Sequence, residues 1–180
     1  MSQDIAYQAL KELAQLSQKN AKALPAQVDA LPRWSGIGFS LLGARFVAPL
    51  GQVAEILEVP VSTRLPGVKS WVSGLANVRG RLLPLFNMPE FFGGQATGFR
   101  KQHRVLVLDS NNFFCGLIVD QAFGMQHFTS ERFSEHAPEV PEAILPIVDG
   151  SYTDAMGNTW AVMHLPRLLQ DTSFANAALA

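Results

Sequence analysis

The sequence has little charge, a single cysteine and no long apolar run. Only 16% of the 180 residues are charged, and 14 basic against 15 acidic side chains leave a formal net charge of −1. Nucleic-acid-binding domains usually carry a basic face and a high pI, so we expect no nucleic-acid partner. Cys115 has no second cysteine with which to form a disulfide, which favours a reducing compartment.

The lack of long apolar runs indicates whether the chain can span a membrane. No stretch of the sequence approaches the roughly 20 apolar residues that a membrane-spanning helix requires. The N-terminus also lacks the basic region and unbroken apolar core of a secretory signal peptide. We therefore expect a soluble, cytoplasmic protein that does not insert directly into a membrane.

Residue types that usually carry catalysis or bind metals form no known pattern. The four histidines lie far apart, without an HxH or HExxH motif: His103, His127, His136 and His164. Cys115 lies in an apolar predicted strand, where burial raises the pKa of a thiol. Glu55 and Glu58 are three apart in a predicted strand and point to opposite faces. The sequence thus predicts no catalytic residue, no metal and no cofactor, and a protein that is not an enzyme.

From residue 36 onward, short apolar runs alternate with turn residues, which is typical of β-strands. Four hairpins are predicted, over residues 38–50, 68–88, 103–120 and 144–165. Arg79-Gly80 forms the second turn, and Pro84 predicts that the following strand lies at an edge or is bulged. Because the strands recur without β-α-β alternation, a barrel or a sandwich is expected.

The remaining segments are predicted to form a further strand, a loop, two helices and a linker. The strand covers residues 52–59, and residues 90–102, with little periodicity, form a mobile loop. Residues 166–170 form a short closing helix with Pro166 in its first turn. Residues 4–23 form an amphipathic helix, and residues 24–33 form a linker. That amphipathic helix either packs loosely on the β domain or docks into a partner's groove.

The segment 65–92 is the most distinctive in the chain. It contains, in order, Pro66-Gly67, Gly74, Arg79-Gly80 and Pro84-Leu85. This series resembles the signature of CheW-like chemotaxis coupling domains. Further matches in the family's order are Glu55-Ile56 before this segment and Gly116, Val119 and Asp120 after it. The resemblance covers about residues 36–170.

The resemblance implies a mostly β fold with two SH3-like, five-stranded β-barrel subdomains around a shared hydrophobic seam. On this basis residues 1–35 are a helical extension and linker, residues 36–170 the CheW-like domain, and residues 171–180 a C-terminal tail. The N-terminal extension is more similar to CheW-type proteins of type IV pilus twitching-motility systems.

The resemblance also implies a function, that of a non-catalytic adaptor or scaffold in chemotaxis signal transduction. Its partners would be the regulatory domain of a CheA-type histidine kinase and the cytoplasmic tip of a methyl-accepting chemoreceptor, at membrane-associated receptor arrays. Three alternatives stay open: coupling in flagellar chemotaxis, the docking part of a CheV-like protein, and a small β-barrel flavin-binding enzyme.

The residues expected to bind partners lie around the family signature. Arg79 can donate paired hydrogen bonds to a carboxylate, either within its own barrel or on a partner, and the family match favours Glu55 as a second contact. Some members of an apolar set are expected to line a receptor groove: Val53, Leu75, Val78 and Leu83. Structural roles are expected for Trp71, as a plug between the subdomains, for Trp34, as a clamp on the extension, and for Asp120, in ordering a bend. Asn87 stands where the family commonly has a carboxylate, so no salt bridge is expected there.

Overall fold

The computed structural model describes residues 7–8, 11–13, 33–110, 113–136 and 138–177. Residues 7–8 and 11–13 are helical. The rest of the helix predicted over 4–23, and the linker predicted over 24–33 except Arg33, lie outside the described residues. The chain divides into two units, Met1–Leu31 and Pro32–Ala180. The described β-strands all lie in the second unit.

The second unit is built mainly of β-strands joined by short helices. The strands are β1 Arg33–Leu41, β2 Ala44–Pro49, β3 Glu55–Glu58, β4 Val72–Val78, β5 Arg81–Asn87, β6 Arg104–Ser110, β7 Phe113–Val119, β8 Gln121–Thr129, β9 Phe133–Ser134, β10 Val148–Thr153 and β11 Thr159–Met163. The α-helices are α1 Met88–Phe91, α2 Leu165–Gln170 and α3 Thr172–Ala175. Short 3-10 helices cover Arg100–Gln102, Ser130–Arg132 and Glu142–Ile147. The four predicted hairpins and the closing helix with Pro166 near its start are confirmed.

The strands form two sheets. Sheet A has the order β8-β1-β2-β11-β10-β9, and sheet B has the order β3-β6-β7-β5-β4. Each sheet contains one parallel pair, β2 with β11 and β5 with β7, and the remaining pairs are antiparallel. The prediction of a mostly β fold with two β subdomains is confirmed. Sheet B has the five strands expected of each subdomain, whereas sheet A has six, the sixth being the two-residue strand β9.

Sheet B closes on itself because the chain after β3 returns to β4. Thr63 and Leu75 each donate a backbone hydrogen bond to the other's carbonyl, with N–O distances of 2.8 and 2.9 Å. Gly74 permits this approach, since a Cβ there would lie 2.3 Å from the Thr63 carbonyl oxygen. This contact gives a physical reason for Gly74 in the family signature.

The buried apolar residues of the described chain form three clusters, one of which joins the two sheets. The largest joins both sheets and α2, with Phe39 and Phe46 from sheet A and Leu106 and Leu117 from sheet B. It corresponds to the shared seam that the resemblance implies. A second cluster fills sheet B and a third fills sheet A. Leu83 belongs to the second cluster.

All three tryptophans lie in or against these clusters: Trp71 belongs to the first, Trp160 to the third, and Trp34 packs against the third. Trp71 is buried in the shared seam and stacks on Phe174, with ring centroids 5.6 Å apart. Trp71 therefore lies between the subdomains, as expected. Trp34 stacks on Tyr152 of sheet A at 4.8 Å. The part of the extension that Trp34 was expected to clamp lies outside the described residues.

Pro84 does not lie at a sheet edge, contrary to the prediction, because β5 runs between β4 and β7. Its partner across β4 is Leu75, whose own N–H and C=O both bond to Thr63. The parallel ladder with β7 begins one residue later, at Leu85. The missing N–H of Pro84 therefore removes no ladder hydrogen bond, and an interior strand tolerates it. The register irregularity of this pair lies at Val72/Gly74 and not at Pro84.

The loop predicted over 90–102 is anchored rather than free. Asp120, which is 3% exposed, accepts hydrogen bonds from the Thr97 backbone N–H at 3.0 Å and from the Thr97 hydroxyl at 2.5 Å. It also accepts one from the Gly43 N–H at 3.4 Å. Asp120 thus joins the loop, the β1–β2 turn and the β7–β8 junction, in keeping with the structural role expected of it.

Two short helices were not predicted. Asn87 caps α1, because its side-chain oxygen accepts a hydrogen bond from the Glu90 N–H. Asp171 caps α3 in the same way, and Phe174 of α3 is buried. The tail expected over 171–180 is therefore a docked helix as far as residue 175.

Candidate partner-binding surface

Arg79 occupies the first central position of the β4–β5 turn. Its φ is +54° and that of Gly80 is +81°, as in a type I′ turn. The Gly80 N–H donates a hydrogen bond to the Asn77 side chain at 2.9 Å, which fixes the turn. Left-handed backbone costs a residue with a Cβ roughly 1 kcal/mol or more. The chain holds Arg79 in this conformation, with 77% of its side chain exposed.

Arg79 forms an ion pair with Glu55 of β3. The Arg79 Nη2 to Glu55 Oε1 distance is 2.5 Å, and 31% of the Glu55 side chain is exposed. The pair joins the β4–β5 turn to β3, the strand at the other edge of sheet B. Solvent-exposed ion pairs contribute only about 0–1 kcal/mol to the free energy of folding, so the Arg79–Glu55 pair does little to stabilise the fold. The sequence-predicted contacts Arg79 and Glu55 are therefore adjacent in space.

A second ion pair lies at the same end of sheet B. Arg81 donates to Asp109 at 2.7 Å, and its guanidinium carbon lies 3.7 Å from the centroid of the Phe114 ring. Asp109 is two residues from Val107, which pairs with Glu55 across β3 and β6. We call Glu55, Arg79, Arg81 and Asp109 the charged rim. Its paired charges are partly open to solvent and can exchange partners.

An apolar groove adjoins the charged rim through Asp109. It has a volume of about 210 Å³ and is lined by the β2–β3 turn, the β6–β7 hairpin and α2. Gln52, a lining residue, joins the β2–β3 turn to α2, because its side-chain oxygen accepts a hydrogen bond from the Leu165 N–H at 3.0 Å. Leu108, Phe113 and Leu169 supply apolar lining. We call this the α2 groove.

The apolar set of which some members were predicted to line a receptor groove does not line a single groove. Val53 packs against the shared seam, whereas Val78 packs against the cluster inside sheet B. Leu75 is half-buried and lies on the opposite face of β4 from Ala76.

The prediction that Leu83 contacts a partner is wrong. Leu83 is 0% exposed, because alternation along β5 directs Leu83 and Leu85 into the core of sheet B. The same alternation places Leu82 at the surface, 64% exposed. A partner can therefore touch Leu82 but not Leu83.

Sequence reasoning missed Arg81, Asp109 and the residues of the α2 groove. The one sequence feature that could have indicated this ion pair is the opposite charge of Arg81 and Asp109, which lie at the ends of predicted strands. Which strand ends meet depends on the sheet order, and the parallel β5–β7 pair that brings them together has no local sequence mark.

The described residues also bear on catalytic chemistry. Among them, no group of three His, Cys, Asp or Glu side chains is placed to hold a metal ion. Burial raises the pKa of Cys115 to about 12, so its thiol is protonated at neutral pH.

In the part of the chain with described coordinates, no helix is long and apolar enough to cross a membrane.

Comparisons with known proteins identify similar sequences. The family model described as "CheW-like domain" matches residues 35–173. The chain is 44% identical to Protein PilI of Pseudomonas aeruginosa over 173 residues, 96% of each chain. It is 31% identical to Chemotaxis protein CheW of Helicobacter pylori over 112 residues, which cover 62% of this chain and 67% of that one.

One solved structure has the same fold. It is the scaffolding protein TtCheW from Thermoanaerobacter tengcongensis, which aligns with a TM-score of 0.66 at 20% sequence identity. The alignment covers 79% of this chain and 96% of that one. At this identity the comparison concerns the fold alone.

Proposed function

The chain belongs to the CheW-like domain family, and from this we propose that it is a non-catalytic adaptor between a CheA-type histidine kinase and methyl-accepting chemoreceptors. The observation that carries the proposal is the junction of the charged rim and the α2 groove at Asp109. Such a surface offers exchangeable charges beside an apolar depression and needs no reactive group.

The cytoplasmic tip of the receptor is the client that this surface suits. A receptor tip is a helical hairpin, and an amphipathic helix binds by laying apolar side chains into a groove. The α2 groove accepts those side chains, while Arg79 and Glu55 meet polar groups at the edge of the helix. Exchange of the Arg79–Glu55 pair for pairs with the receptor costs little, because the pair is exposed.

The regulatory domain of the kinase is the second client, and it binds a different surface. Holding both clients on one small protein raises the effective concentration of kinase near receptor and couples their conformations. Each contact can be weak, in the micromolar range, because an array supplies the remaining avidity. The protein then works in the cytoplasm, at receptor arrays under the membrane.

The system served is the type IV pilus and its twitching motility. The 44% identity to Protein PilI over 96% of both chains supports this assignment. Loss of the gene should abolish twitching and leave flagellar swimming intact. Loss of swimming with normal twitching would reverse the assignment.

Co-purification with the kinase and receptor of the same organism tests the adaptor function. Arg79→Ala should reduce receptor capture about tenfold, equal to ~1.4 kcal/mol, and leave the unfolding temperature nearly unchanged. Arg167→Ala is the matched control, because Arg167 forms an exposed ion pair with Asp149 and does not line the α2 groove. Unchanged capture of both clients by a folded Arg79→Ala protein would refute the site assignment.

A further inference from the structure

A second cleft lies at the end of sheet B opposite the charged rim. Along β3, Glu55 belongs to the rim and Glu58 lines this cleft; along β6, Asp109 belongs to the rim and Arg104 lines the cleft. The two surfaces are thus separated by the length of the strands. The cleft has a volume of about 880 Å³, within the range of ligand-binding sites. We call it the basic cleft.

The lining of the basic cleft is more positive than the rest of the chain. Its four cations are Arg64, Arg100, Lys101 and Arg104, and its carboxylates are Glu58 and Glu90. Four positive and two negative charges leave +2 on the lining, whereas the whole chain carries −1. A cleft with this local excess attracts an anionic ligand while the rest of the surface does not.

These cations are not used to hold the fold through ion pairs. Within the described ranges, none of the observed salt bridges involves a cation of the basic cleft. Arg104 donates from Nη1 to the backbone oxygens of Lys101 and His103, both at 2.8 Å. These two bonds use only Nη1 and hold the guanidinium in place. Its other N–H groups can then donate to an acceptor on a ligand.

The other lining residues indicate which anion fits. The described lining has no Phe, Tyr or Trp, so it offers no aromatic platform on which a nucleobase could stack. It does have apolar residues at its mouth, among them Val61, which is 97% exposed. A polyphosphate has no apolar group with which to cover Val61, whereas a polypeptide does.

We propose that the basic cleft binds an acidic peptide segment of a partner protein, with aliphatic residues among its carboxylates. The arginine guanidinium groups donate paired hydrogen bonds to the carboxylates, and the aliphatic side chains cover Val61 and its neighbours. This proposal does not depend on the proposed receptor contact, which uses the other end of sheet B.

The test uses the full chain and a labelled peptide of alternating Glu and Val, with binding followed by fluorescence anisotropy. Binding should be saturable and should weaken as salt is raised. The double change Arg100→Glu and Lys101→Glu should reduce affinity about tenfold or more, because like charges then face the peptide. Val61→Asp, at a position too exposed to affect folding, should also reduce it.

Arg33→Glu is the matched control, because Arg33 is exposed on β1 and lies outside the cleft. It should leave affinity within about twofold, since a distant charge is largely screened. An equal loss in Arg33→Glu would show non-specific attraction and overturn the proposal. Absence of peptide binding, or tighter binding of ATP or inorganic polyphosphate at the same cleft, would also overturn it.

Discussion

Leu82 and Leu83 are consecutive residues of β5 that point to opposite faces of sheet B. Leu83 is completely buried, whereas 64% of Leu82 is exposed. The cost of truncating each side chain should therefore differ strongly, although the two residues are chemically identical.

Leu83→Ala should lower the free energy of unfolding by about 2–4 kcal/mol, because it leaves a cavity among Leu85, Val105 and their neighbours. Leu82→Ala should change it by no more than about 0.5 kcal/mol. Urea denaturation of the two variants measures both values. A larger loss in Leu82→Ala than in Leu83→Ala would mean that β5 has the opposite register. Similar losses in both would contradict the placement of the two side chains on opposite faces.

Arg79→Asn should separate the structural role of Arg79 from its role in binding. Asn is favoured at positive φ before Gly in a type I′ turn, so relief of backbone strain should offset loss of the Glu55 ion pair. We expect stability equal to or up to about 1 kcal/mol above that of the parent protein, together with weaker receptor capture. Thermal unfolding and co-purification measure the two effects. A marked loss of stability would show that Arg79 mainly holds the turn.

Asp120→Ala should release the loop that contains Thr97. The variant leaves the Thr97 and Gly43 donors without their acceptor, at a cost of about 1–3 kcal/mol. Limited proteolysis should then cut within residues 92–99 faster than in the parent protein. Asp149→Ala, which removes the partner of Arg167 at the surface, is the control and should not accelerate this cleavage. Equal cleavage rates in the two variants would contradict the anchoring role.

The Asp154 carboxylate makes the free energy of unfolding depend on pH. Burial alone would raise its pKa, but hydrogen bonds from the Trp160 indole, the Asn158 side chain and two backbone N–H groups lower it to about 2. An unfolded Asp has a pKa near 3.9, so between about pH 4 and 2 the unfolded chain binds more protons. This stabilisation is therefore complete above that range and disappears as the pH falls through 2.

Asp154→Asn should consequently be less stable than the parent protein at neutral pH, and the difference should shrink on acidification. Urea denaturation at several pH values measures it. Asp149→Asn, at an exposed ion pair, is a suitable comparison. A difference between Asp154→Asn and the parent protein that stays constant down to pH 2 would contradict the lowered pKa.

Local chemistry accounts for what the sequence could predict. The turn at Arg79-Gly80 follows from glycine's freedom at positive φ, and the hairpins follow from alternation between turn residues. Asp120 could be assigned a structural role, but its partners Thr97 and Gly43 are 23 and 77 residues away and depend on the closed fold. Leu83 was misplaced because the apolar run Leu82-Leu83 fits either face of a strand, and only the sheet order decides between them. The cap of α3 was visible in Asp171-Thr172-Ser173 and was missed.

The C-terminal helix α3 should be part of the stable core. Phe174 is 5% exposed and its ring lies 5.6 Å from Trp71, 5.0 Å from Phe86 and 5.2 Å from Phe91, measured between centroids. Phe174→Ala should therefore lower the free energy of unfolding by about 3–5 kcal/mol, as for other buried phenylalanines. Met156→Ala, at a position 90% exposed, should leave it within about 0.5 kcal/mol. Chemical denaturation followed by circular dichroism measures both. If Phe174→Ala were as stable as Met156→Ala, residues 172–175 would be a dispensable tail and the aromatic cluster around Trp71 would hold without them.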